Sequence, residues 1–179
     1  MFFKCATHAP ADHSHSHAET VSRNDKHFTV DIHCHIHVPE ADKMLTQLAP
    51  GDTGRKMVDT NPITAKINTE QQETILEQLT DPEVRLKDMD AQGIDVQAIS
   101  TSPFHYNYGY DAEFTRDTSK VVNDRIAEVV ATHPDRFVGL GTLPLQNEEM
   151  SMIELDRCIN ELGFKGIEMS TNINGKDLT

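Results

Sequence analysis

The chain has 179 residues, 16 Lys and Arg against 29 Asp and Glu for a formal charge of -13, 37% hydrophobic residues and three cysteines. That size fits one domain of ordinary dimensions, and the negative charge argues against nucleic acid or an anionic membrane surface as a partner, leaving small molecules and proteins. No run approaches the roughly 18 apolar residues of a membrane span, the start Met1-Phe2-Phe3-Lys4 is unlike a secretory signal, and Cys5, Cys34 and Cys158 form no Cys-x-x-Cys pair, so the sequence reads as cytoplasmic with reduced thiols.

Residues 1–27 contain the alternation His13-Ser14-His15-Ser16-His17 and no apolar periodicity, which predicts a disordered, His-rich tail. Order is expected to begin at Phe28-Thr29-Val30-Asp31-Ile32-His33-Cys34-His35, a β-branched run of the kind that forms a buried strand. From about 38 to 80 the chain is polar and broken by Pro39, Pro50, Gly51, Gly54 and Pro62, too long for an idle connection, and it reads as an insertion over a binding site. Thr69-Glu70-Gln71-Gln72 has the form of a capping box, and Ile75, Leu76 and Leu79 then predict a short amphipathic helix.

A regular cycle follows. Asp81 caps a helix with Pro82 at its first position, Val84, Leu86 and Met89 as apolar contacts, and Gly93 as its stop. Ile94 to Thr101 is the next strand, a helix runs from about Asp111 to Thr132 with Val122, Ile126, Val129 and Val130 as its stripe, and Phe137 to Leu143 is the third strand. Asn147 starts a helix with Met152, Leu155, Ile159 and Leu162 on one face, and Gly166 to Ser170 is the fourth strand. Strands alternating with helices call for an α/β fold with a parallel sheet, either open and doubly wound or closed as a barrel.

Within the first strand, a period of two places Asp31, His33 and His35 on one face and Val30, Ile32 and Cys34 on the other, with Val30 and Ile32 expected to pack on outer helices. The two imidazoles leave the backbone about 6.6 Å apart, and at metal–nitrogen bonds of about 2.1 Å rings that lean together can share one ion. Hydrogen-bonded core histidines, or a solvated cluster, would produce the same pattern. His37 continues the period, but Pro39 marks the strand's end and argues against it as a ligand.

Three stretches together resemble a known family: Val30-Asp31-Ile32-His33-Cys34-His35, Asp81 to Asp90 with Gly93, and Arg136-Phe137-Val138-Gly139-Leu140-Gly141-Thr142-Leu143-Pro144. They look like the amidohydrolase-related, metal-dependent decarboxylases of the aminocarboxymuconate semialdehyde decarboxylase type, with similarity from about Phe28 to Thr179. The resemblance implies a (β/α)8 barrel holding one divalent metal, usually zinc, with His33 and His35 as first-strand ligands and Asp31 holding the site in place. It implies non-oxidative decarboxylation of an unsaturated or aromatic carboxylate, the small-molecule partner, while hydrolysis of a lactone or amide would use the same first-strand motif.

A (β/α)8 barrel takes about 250 residues, and here there are four strands and three intervening helices, so the sequence reads as the first part of such a barrel within a longer enzyme. The remaining metal histidine, a catalytic histidine and an aspartate are expected beyond Thr179. Open sheet edges would favour self-association, and a non-catalytic half-barrel is the reading from outside enzymology. His13, His15 and His17 could in principle complete the metal shell, but a flexible segment lacks the fixed support a ligand needs, and a solvated tail is the expectation. Ser102 to Tyr110, holding all three tyrosines, is expected either to line the pocket or to pack on the insertion. Arg55, Lys56, Lys66 and Arg85 are the cations that could meet a carboxylate, with Arg85 better placed for a structural ion pair.

Overall fold

The computed structural model describes residues 27–51 and 61–178. The tail reading, apart from its last residue His27, and the candidates Arg55 and Lys56 therefore lie outside the described residues. Four strands form one sheet: β1 (Val30–Ile36), β2 (Val96–Thr101), β3 (Phe137–Gly141) and β4 (Gly166–Ile167), in the order β1-β2-β3-β4 and all parallel. Sequential order with parallel pairing is what consecutive β-α units give, and four such units make the first part of a (β/α)8 barrel.

The crossover helices follow their start and stop signals. Helix α3 (Pro82–Gln92) is capped by the Asp81 carboxylate, which accepts from the Glu83 N–H, and ends at Gly93 with φ 70°. That left-handed conformation costs glycine nothing. Helix α4 (Ala112–Thr132) is capped by Asp111 and buries Val122, Ile126 and Val129 on the sheet. With Cys34, Ile36, Met89, Ile94, Ile99, Phe137, Cys158 and Phe164 these form the core between sheet and helices.

The insertion is more ordered than expected. It holds α1 (Pro39–Leu48) and α2 (Pro62–Thr80). Helix α2 begins seven residues before Thr69, because Asn61 accepts from the N–H groups of Ile63 and Thr64 and Pro62 supplies the first position. The Asn-Pro pair outcompetes the capping box, which lies inside a helix and caps nothing.

Two packing expectations are overturned. Helix α5 (Glu148–Asp156) buries Ser151 and Glu154, followed by Cys158 in a π-helical turn at Arg157–Glu161, while Met152 and Ile159 are exposed. The cause is a polar anchor: Glu154 is 1% exposed and takes bonds from Asn123 of α4 and from Arg157, which turns the helix so that this carboxylate faces inward. On β1, Val30 and Ile32 are exposed instead of packed, because β1 is an edge strand and no described helix covers that end of it. After β4 a small hairpin, β5 (Asn172–Ile173) and β6 (Lys176–Asp177), turns through Asn174 and Gly175, both at positive φ. An Asn-Gly pair is the strongest short hairpin signal.

Candidate metal centre

Strand β1 does not keep a strict period of two. Val30 and Asp31 pair with Val96 and Gln97, but Cys34, His35 and Ile36 pair with Ile99, Ser100 and Thr101, so one extra residue is accommodated between Asp31 and Cys34. This bulge sets Asp31 on the face of Gln97, Ile99 and Cys34, not on the face of the histidines as simple alternation predicts. Its carboxylate accepts from the His33 N–H at 3.1 Å and from Gln97 Nε2 at 3.4 Å.

His33 and His35 do converge. Their Nε2 atoms lie 3.2 Å apart, with rings perpendicular and centroids 5.0 Å apart. His35 is 5% exposed and His33 lies at the surface of the cavity described below. The Nδ1 atom of His35 is 2.7 Å from the Thr101 carbonyl oxygen, which can only accept, so Nδ1 carries the proton and Nε2 keeps its lone pair. Burial lowers the basicity of His35 and the Glu168 carboxylate partly restores it. A neutral ring with Nδ1–H on a backbone carbonyl and a free Nε2 pair is the form in which histidine binds a metal. The donor pair therefore fits a divalent ion, though a catalytic site needs about three protein ligands.

Two supports stand behind the pair. Arg85 of α3 is 6% exposed and donates Nη2 to the His35 carbonyl at 2.6 Å and Nη1 to Gln97 Oε1 at 3.1 Å, so it holds the strand and not a substrate. Glu168, just past β4, accepts from the Tyr106 hydroxyl at 2.6 Å and approaches His35 Nδ1 to 3.9 Å. Sequence reasoning missed Glu168, although a carboxylate at the C-terminal end of a barrel strand is a recognisable sign of a site residue.

The pair opens into a cavity of about 530 Å³ lined by the polar His33, His35, His37, Asp42, Asn68, Gln71 and Gln72 and the apolar Leu45, Ile75, Leu76, Leu79 and Phe104. Residues of α1 and α2 thus line the cavity together with the β1 histidines. Phe104 lines the cavity, whereas Tyr106 and Tyr108 are buried and stacked at 5.2 Å between centroids, so the aromatic loop divides its residues between pocket and packing. Lys66 faces outward and pairs with Glu70 at 3.7 Å. His37, weighed against as a metal ligand, donates from Nε2 to Asp42 Oδ2 at 2.8 Å, and His105 Nε2 reaches the other oxygen of Asp42 at 3.1 Å. Neither Asp42 nor His105 was singled out by the sequence as a metal ligand.

Residues 30–179 match a protein-family model described as amidohydrolase. A 2-amino-3-carboxymuconate-6-semialdehyde decarboxylase of Dictyostelium discoideum is 44% identical over 98 residues, 55% of this chain and 27% of that protein. Among solved structures, a 5-carboxyvanillate decarboxylase of Novosphingobium aromaticivorans, complexed with manganese and a nitrobenzoic acid, superimposes with a TM-score of 0.70 at 31% identity, covering 83% of this chain and 43% of that one. A 2,6-dihydroxybenzoate decarboxylase complexed with 2,6-dihydroxybenzoate gives 0.60 at 28% identity, covering 79% and 38%. This chain spans less than half the length of each of these relatives.

Proposed function

The chain belongs to the amidohydrolase family, and on that premise we propose that it forms the metal-binding first part of a non-oxidative decarboxylase acting on an aromatic or unsaturated carboxylate. The observation that carries the proposal is the 3.2 Å approach of the two Nε2 atoms in the lining of the cavity. His33 and His35 would hold one divalent ion, and the ligands that complete its shell would come from the part of the barrel this chain does not span. Imidazole donors favour zinc, while the carboxyvanillate decarboxylase structure contains manganese. When bound, such an ion supplies positive charge beside the carboxylate and its neighbouring oxygen.

The remaining work falls to residues of this chain. Leu45, Ile75, Leu76, Leu79 and Phe104 supply apolar lining against which a ring or diene would lie. Asn68, Gln71 and Gln72 offer amide donors and acceptors in the same lining, suited to hydroxyl or carboxylate oxygens. Among the described residues no Lys or Arg lines the cavity. The Thr101 carbonyl keeps the His35 proton on Nδ1, away from the substrate side.

The test is carbon dioxide release by the protein that carries this chain, assayed with dihydroxybenzoates, a carboxyvanillate and aminocarboxymuconate semialdehyde. Release that a chelator stops and manganese or zinc restores, and that His33→Gln and His35→Gln abolish, is the expected result. Turnover that survives chelation or either substitution would overturn the assignment, and metal analysis of protein purified without added metal decides between zinc and manganese.

A further inference from the structure

His37, Asp42 and His105 form a second donor cluster beside the first. They come from three elements, the strand just past β1, helix α1 and the 3-10 turn Pro103–His105 after β2. Their backbones are fixed: the His37 N–H donates to the Leu79 carbonyl at 2.8 Å and the His105 N–H to the Ser102 carbonyl at 2.9 Å. Pro39 sets the first turn of α1, which carries Asp42. One ligand atom from each residue can be chosen so that all lie within 4.8 Å of one another. Through Asp42 the contacts are 2.8 Å from His37 Nε2 to Oδ2 and 3.1 Å from His105 Nε2 to Oδ1, so the two imidazoles meet the two oxygens of one carboxylate.

We propose that His37, Asp42 and His105 bind a divalent first-row transition ion at a second site in the wall of the same cavity. Two imidazoles and one carboxylate are a donor set that such ions take with coordination positions left open. His37 and Asp42 both line the cavity, so an ion held there would stand in its wall. One feature sets the strength. An ion at His105 Nε2 moves the ring proton to Nδ1, which is buried and has no hydrogen-bond partner among the described residues. A histidine ligand without such a partner binds metal roughly 10- to 100-fold more weakly. The site is thus a weak, exchangeable one.

The inference stands apart from the His33–His35 reading and is tested separately from it. The full 179-residue chain, with His13, His15 and His17 replaced by Gln to silence the His-rich stretch, is titrated with cobalt(II) and followed by visible absorption. Expected is one equivalent bound in the His33→Gln/His35→Gln variant, which lacks the first pair, and at least a tenfold loss of that affinity when Asp42→Asn is added; the parent must bind at least this one equivalent. Binding that is lost in the double variant but intact in Asp42→Asn, or absent from the parent, overturns the site. Should Asp42→Asn fail to fold, manganese-induced broadening of the parent's histidine ring signals gives the answer: His37 and His105 must broaden before His33 and His35, and the reverse order refutes the proposal.

Discussion

The Nδ1 atom of His35 lies 2.7 Å from the Thr101 carbonyl oxygen, across the β1–β2 pairing that sets Ile36 beside Thr101. Because the acceptor is backbone, the orientation of this imidazole is built into the sheet and not into any replaceable side chain. The two histidines therefore differ in what their loss costs. His33→Gln, at an exposed position, should change stability by no more than about 0.5 kcal/mol. His35→Gln removes a buried donor, also 3.1 Å from Ser100 Oγ, and should cost about 1–3 kcal/mol. Urea denaturation of the two variants checks the asymmetry, and equal costs would mean that His35 is not held as described.

The contact between β3 and the α4–β4 layer depends on missing side chains. A Cβ at Gly139 would stand 2.4 Å from Phe164 Cδ1 and 3.0 Å from Ile126 Cγ2, both in the core, and one at Gly141 would stand 2.7 Å from Cys158 Sγ. Gly139→Ala is expected to destabilise by about 1–3 kcal/mol, since overpacking displaces neighbours that are themselves close-packed. Gly109→Ala meets nothing within 4 Å and should be neutral or slightly stabilising. Thermal melts of the two variants should move in clearly different amounts.

Asn123, fully buried on α4, acts as a plug for the end of β3. Its Nδ2 donates to the Thr142 carbonyl at 2.9 Å and to Glu154 Oε1 at 2.7 Å, and its Oδ1 accepts from the Thr142 N–H at 2.9 Å. Asn123→Leu would leave a backbone donor and acceptor unpaired in the core and strip one partner from a buried carboxylate. Each such buried group costs about 1–3 kcal/mol, so the variant should unfold at markedly lower denaturant. Hydrogen exchange at the Thr142 amide should accelerate in step. A variant as stable as the parent would show that the network contributes nothing net.

Most of this architecture is legible in the chain because local signals agree with the tertiary fold. Asp81 with Pro82 and Gly93 bracket α3, Asp111 opens α4, and the β-branched runs become strands within a few residues of the expected ends. The His-x-His pair could be read as converging because two residues along a strand share a face. Asp31 could not be placed, since a bulge depends on how β1 registers against β2 and leaves no mark in composition. The inward side of α5 was hidden for a similar reason: periodicity ranks Met152 and Ile159 above Glu154, and only the partners Asn123 and Arg157, distant in sequence or on the next turn, make burying the carboxylate favourable. Asp42 and His105 are 63 positions apart, and their meeting is a property of the folded insertion.

The two described cysteines, Cys34 and Cys158, are both fully buried, and burial pushes each thiol up to about 12, with the Glu154 charge adding to the effect at Cys158. At pH 8 an ordinary thiol with a pKa of about 8.5 is roughly one quarter thiolate, whereas these two are almost wholly protonated. In a Cys5→Ser background neither should react with Ellman's reagent at pH 8 until the protein is unfolded in guanidinium. The same shift fixes a pH dependence of stability. Below about pH 7 the thiols are protonated in both states and contribute nothing that varies; as pH rises from there toward 12 the unfolded chain ionises them while the folded one does not, so stability falls. The limiting slope is about 1.4 kcal/mol per pH unit for each cysteine. Tyrosines and lysines titrate in the same range, so the diagnostic quantity is the difference between parent and Cys158→Ala, which should shrink as pH is raised from 8 to 10.5, by an amount on the order of 1–2 kcal/mol. A difference that stays constant with pH would show that the Cys158 thiol ionises as readily in the folded protein as in the unfolded chain.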